Sequence, residues 1–179
     1  MNQYSTETNY KLNSKSINLN QSSTGMLIVI DRGIDDIQTL VDGVQTGAKV
    51  LVLDDQKDSI EQITHALSQE TFSSLHLVSH GAPGVLYLGN SPLTLDNLER
   101  YSYLLQEWGI PEILLYGCNV AAGDAGAEFI ERLHQLTGAK IAASTSKTGN
   151  LAKGGNWNLE VFPKAERELA FKSKAIEEY

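Results

Sequence analysis

Leu75-His76-Leu77-Val78-Ser79, followed at once by His80-Gly81, is a near-continuous apolar run of strand length that stops at a glycine. A strand with one wet face alternates apolar and polar residues. A strand buried on both faces, as in a parallel sheet covered by helices, keeps apolar residues almost throughout. Four more runs have this character: residues 26–30, 49–53, 112–116 and 140–143. The segments between them carry apolar residues at helical spacing: Ile37, Leu40, Val41 and Val44, then Ile60, Ile63 and Leu67, then Leu98, Tyr101, Leu105 and Trp108. Asp124 stands where a helix N-cap would, Phe129, Leu133 and Leu136 share the face behind it, and Gly138 follows as a C-cap. This order predicts an α/β fold, a three-layer α-β-α sandwich around a mostly parallel sheet.

Residues 85–89, with Asn90-Ser91-Pro92 behind them, read as a short strand or hairpin beside the sheet end, and residues 157–161 as a last strand. Residues 1–25 are polar and poor in large apolar side chains, which predicts a flexible lead-in. The α/β domain is expected over 26–163 and a charged tail over 164–179.

Composition narrows the function. The 179 residues suit one domain with one core; 41% hydrophobic and 20% charged residues describe a globular protein, and no apolar stretch is long enough to span a bilayer. A net charge of -8, with no Lys/Arg cluster, argues against nucleic acid as a partner. The single cysteine excludes an internal disulfide and a multi-thiolate zinc site. The lead-in lacks a charged start followed by an apolar run, so a cytoplasmic default is expected in place of a secretory signal.

In open α/β sheets, ligands and catalytic groups gather beyond the carboxyl ends of the strands. Two motifs are expected there. Ser79-His80-Gly81 closes the third strand, and Tyr116-Gly117-Cys118-Asn119 closes the fourth. A thiol of ordinary pKa is only a few per cent thiolate at neutral pH, so a nucleophilic cysteine needs a neighbouring base, which His80 would supply to Cys118. The backbone amides of Gly81 and Cys118 are the candidate oxyanion hole, and the small-residue turn leading to Asp124 would bring a helix N-terminus near the thiolate. No cofactor or metal is called for. His76 and His80 lie about 13 Å apart along a strand, too far to share one ion, so His76 reads as a core residue. His65 and His134 read as surface residues, and Trp108 and Trp157 as packing. Pro83-Gly84 suits an ordinary turn, and Asp54-Asp55 a loop before the Ile60 helix.

The order strand, His-Gly, hairpin, helix, strand, Cys resembles the caspase-like superfamily of caspases, gingipains, legumains, separases and CHAT domains. More narrowly, residues 77–89, 114–123, 143–149 and 155–160 resemble the DUF4347 domain of large bacterial, often cyanobacterial, adhesin-like surface proteins. That resemblance implies a cysteine peptidase or self-processing domain acting on a peptide or protein, its own chain included, and a cell-surface or secreted setting. The alternative is a non-catalytic assembly module on the same scaffold. Some relatives place an acidic residue two positions before the cysteine, and caspases carry Gln-Ala-Cys; here Tyr116-Gly117 precedes Cys118, so neither acidic nor basic specificity carries over. Ser144, Thr145 and Thr148 fall where relatives build part of the specificity pocket, which implies a mostly neutral, polar pocket. Asp31, ending the first strand, is expected at its rim. An α/β-hydrolase elbow is excluded, because it needs glycine two before and two after the nucleophile and Tyr116 and Val120 stand there.

Overall fold

A computed structural model describes residues 25–161 and 169–178. The lead-in expected over residues 1–25 thus lies outside the described residues, Gly25 excepted. Along the chain run β1 (Met26–Ile30), α1 (Ile37–Asp42), β2 (Lys49–Val52), α2 (Ser59–Gln69) and β3 (Ser74–Val78). A small trio follows, β4 (His80–Ala82), β5 (Val85–Tyr87) and β6 (Leu93–Thr94). Then come α3 (Ser102–Leu105), β7 (Glu112–Tyr116), α4 (Gly123–Thr137), β8 (Lys140–Ala143) and α5 (Ser173–Glu178).

The large sheet has the order β2-β1-β3-β7-β8, and each neighbouring pair is parallel. Its strands are apolar on both sides because both sides are covered. Leu27, Val29, Leu75, Leu77, Ile113 and Leu115 pack with Ile60, Ile63, Leu105, Phe129 and Leu133 on one face. Their alternates Ile28, Ile30, Val78, Leu114 and Tyr116 pack with Leu40, Trp157, Leu159 and Phe171 on the other. The expected three-layer arrangement is therefore present, with period-two alternation dividing each strand between two cores.

β4, β5 and β6 form a separate antiparallel sheet. The turn Pro83-Gly84 joins β4 to β5, and Gly84 takes φ 72°, which its lack of a Cβ permits.

Four local expectations change. The stripe from Leu98 to Trp108 is a 3-10 turn over Leu95–Tyr101 running into the short α3, started by a capping box between Thr94 and Asn97. Asp124 lies inside the first turn of α4; Ala122 is the N-cap and gives no side-chain bond. Residues 157–161 are not a strand. Only the bridge from Ala143 to Val161 ties them to the sheet, while Trp157 and Leu159 turn inward. Part of the expected tail belongs to the core: Ala170, Phe171 and Ala175 are buried, and the Lys172 amide donates to the Gly43 carbonyl at 2.8 Å. Charge dominates the composition of that segment, and the residues it packs with, Leu40 and Trp157 among them, lie elsewhere in the sequence.

Candidate active site

β3 and β7 are neighbours, and Val78 pairs with Tyr116 at their carboxyl ends. His80 and Cys118 each stand two residues beyond that pair, so the two strand-end motifs leave the same edge of the sheet side by side. His80 is exposed and Cys118 is partly buried. The Cys118 thiol donates to the Thr148 carbonyl at 3.5 Å.

Gly81 packs directly on the cysteine turn. A Cβ at Gly81 would stand 2.9 Å from the Cys118 carbonyl oxygen and 2.6 Å from Val120 Cγ2. A Cβ at Gly117 would stand 2.8 Å from the same Val120 methyl. Both glycines are thus required by close approach. Ala82 and Val85 flank the two-residue turn and form the hydrogen-bonded pair that closes it, which makes Gly81 and Leu86 a non-hydrogen-bonded pair. The Gly81 N–H therefore points away from β5.

The cysteine turn is held open by backbone geometry. Asn119 has φ 58°, a left-handed conformation that asparagine tolerates better than most residues. Its amide donates to Ser146 O at 2.8 Å, and the Ala121 amide to Ser144 O at 3.0 Å, zipping the turn to the loop after β8. Glu160 braces that loop from outside, accepting from the Thr145 amide at 2.8 Å and the Ser146 hydroxyl at 2.9 Å. Burial alone would raise the Glu160 pKa, but these bonds, together with its own amide and the Ser144 hydroxyl, outweigh it and hold the carboxyl below its usual value.

The residues expected to line a pocket divide. Thr148 lines an open cavity of about 150 Å³ that Cys118 also lines. Ser144 is fully buried and bonds to Ser146, and the Thr145 amide is held by Glu160. Neither lines that cavity. Asp31 is buried, its carboxylate accepting from the Gly33 amide at 2.9 Å and from the Gly89 amide. It clamps the end of β1 to the end of the hairpin and is occupied in doing so. The lining of this cavity also includes Lys147 and Lys153, two cations beside the polar Thr148. Lys147 precedes Thr148 directly in the sequence, so its place on the loop is local. Lys153 is brought there only by the fold of the glycine-rich loop.

Tyr116, at the position two before the cysteine, faces the second core. It stacks on His76 with ring centroids 5.8 Å apart, meets Trp157 at a tilt and contacts Phe171 edgewise. His76 bonds to Ser74 Oγ at 2.9 Å and to Tyr116 Oη at 3.1 Å. This arrangement removes position 116 from the pocket for a packing reason. α4 begins five residues after Cys118, with Asp124 exposed in its first turn.

A family model described as "Domain of unknown function (DUF4347)" matches residues 27–179, and the chain belongs to that family. No curated protein matches. Among solved structures the chain is similar to the crystal structure of caspase-1 from Spodoptera frugiperda, at 16% identity and a TM-score of 0.33. The match covers 59% of this chain and 52% of that one, so the chain spans about half of its length.

Proposed function

We propose that this member of the DUF4347 family is a thiol peptidase or self-processing domain in which Cys118 is the nucleophile and His80 the base. The observation that carries the reading is the pairing of Val78 with Tyr116, which gives His80 and Cys118 equivalent positions at one sheet edge. In the reaction the Cys118 sulfur attacks a peptide carbonyl carbon and the thiol proton passes to His80. The carbonyl oxygen, now negative, accepts from the Gly81 and Cys118 amides; the first is supported by its outward direction in the β4–β5 ladder. The C–N bond then breaks as His80 returns the proton to the leaving amine. Water hydrolyses the acyl-cysteine, with His80 again taking the proton. Before attack the thiol must rotate off the Thr148 carbonyl, which holds it as a donor.

A second reading, a binding module without turnover, is favoured by that same thiol contact and by the absence, among the described residues, of a hydrogen bond that orients the His80 ring. The test is mass analysis of a peptide library incubated with the wild-type chain, Cys118→Ala and His80→Ala. Cleavage confined to the wild type, with self-processing counted as cleavage, supports the peptidase. Identical products from Cys118→Ala would sink it, and no products from any of them, with ordinary iodoacetamide reactivity at Cys118, would favour the binding module.

A further inference from the structure

We propose that the cavity beside Cys118 receives an acidic side chain, a carboxylate of a peptide bound in extended form across the Cys118 turn. The proposal deepens the peptidase reading by naming its substrate class, and it rests on that reading for the direction in which the peptide lies.

The cavity is about 150 Å³, well under the ~300 Å³ at which small-molecule sites begin, so it suits one side chain. Two of its lining residues, Lys147 and Lys153, carry full positive charge, and both are exposed. Neither is in an ion pair among the described residues, unlike Lys49, Lys57 and Arg132. In a chain with 14 basic against 22 acidic residues, two such cations on one small cavity are a local reversal of the overall field. Glu160, the carboxylate bound to this loop, is turned toward Thr145 and Ser146 and so is engaged away from the lysines.

The backbone beneath both lysines is braced. The Lys147 carbonyl accepts from the Asn156 amide at 2.9 Å, and the Lys153 amide donates to Asn150 O at 3.1 Å. Gly149 and Gly155 lie so close that a Cβ on Gly155 would stand 2.8 Å from the Gly149 carbonyl oxygen. Other polar groups are already used, since the Thr148 carbonyl accepts the Cys118 thiol and its hydroxyl reaches Gly117 O at 3.4 Å. A carboxylate entering here meets two ammonium groups, and a basic side chain meets two like charges. Lysine presents a point charge on a flexible stem where arginine would present a fork, so the preference is set by charge more than by shape. For exposed pairs of this kind the two lysines together amount to a preference of about fivefold to tenfold.

The test uses the full chain carrying Cys118→Ala, which binds without turnover, titrated with fluorescent C-terminally amidated peptides that differ only in one central residue, Asp, Asn or Lys. The expected result is binding of the Asp peptide about fivefold or more tighter than the Asn peptide. The Lys peptide binds weakest, the order reverses in a Lys147→Glu/Lys153→Glu background, and the preference shrinks with added salt. Equal binding of the three peptides, a preference unchanged by the charge reversal, or no binding of the Asp peptide at millimolar concentration each overturns the proposal. The peptidase reading fails separately, if the wild-type chain binds the Asp peptide and leaves it uncut. Cleavage after other residues without acidic preference in binding overturns the pocket and spares the peptidase.

Discussion

Gly81 lies against the cysteine turn so closely that a Cβ on it would come within 2.9 Å of the Cys118 carbonyl oxygen. The hairpin that begins at His80 is thereby packed onto the loop that carries the thiol, and the two motifs hold each other in place. Gly81→Ala is expected to lower stability by about 1–3 kcal/mol, as overpacking does in a close-fitted interior. Urea unfolding measures it, and an unchanged midpoint would show that the turn yields freely.

His80 is exposed. His80→Ala is expected to leave stability within about 0.5 kcal/mol, as surface substitutions do. Alkylation of Cys118 at neutral pH should slow by about tenfold or more if the imidazole takes the thiol proton. Stopped-flow labelling with iodoacetamide reads this directly, and equal rates in the two proteins would remove His80 from the role of base.

Asp31 ties β1 to the hairpin through the Gly33 and Gly89 amides while itself buried. Asp31→Ala leaves two donors without an acceptor, at a cost of about 2–4 kcal/mol. Hydrogen exchange at the Gly89 amide should accelerate more than exchange in β3, since the hairpin end is what the carboxylate holds.

Glu160 makes the loop beside Cys118 sensitive to acid. Its carboxyl is held below its ordinary value of 4.5, so the bracing is complete above that value and is lost as pH falls through the lowered native one. Because Glu160 is exposed, the loss is screened and amounts to about 1 kcal/mol or less. In Glu160→Gln the Thr145 amide should exchange faster at neutral pH, with little further change on acidification.

Phe171 is 2% exposed and packs against Trp157 with ring centroids 5.6 Å apart. Phe171→Ala is expected to cost about 3–5 kcal/mol, and ending the chain before residue 169 at least as much. A thermal melt decides whether this segment is part of the cooperative unit.

Near-continuous apolar runs and helical stripes, read from the sequence alone, determined a parallel sheet between helical layers, and the positions of His-Gly and Gly-Cys after two apolar runs determined that both motifs leave strand ends. Those features are local, since period two or 3.6 is set by the backbone of each segment and survives without its neighbours. Only the tertiary structure decided that Asp31 is a buried clamp, that Tyr116 is turned into a packing cluster and that Phe171 closes the second core. It also decided that Lys147 and Lys153 stand on the cavity beside Cys118. Each of these depends on contacts between residues far apart along the chain, where composition and spacing hold no information about which side chain meets which.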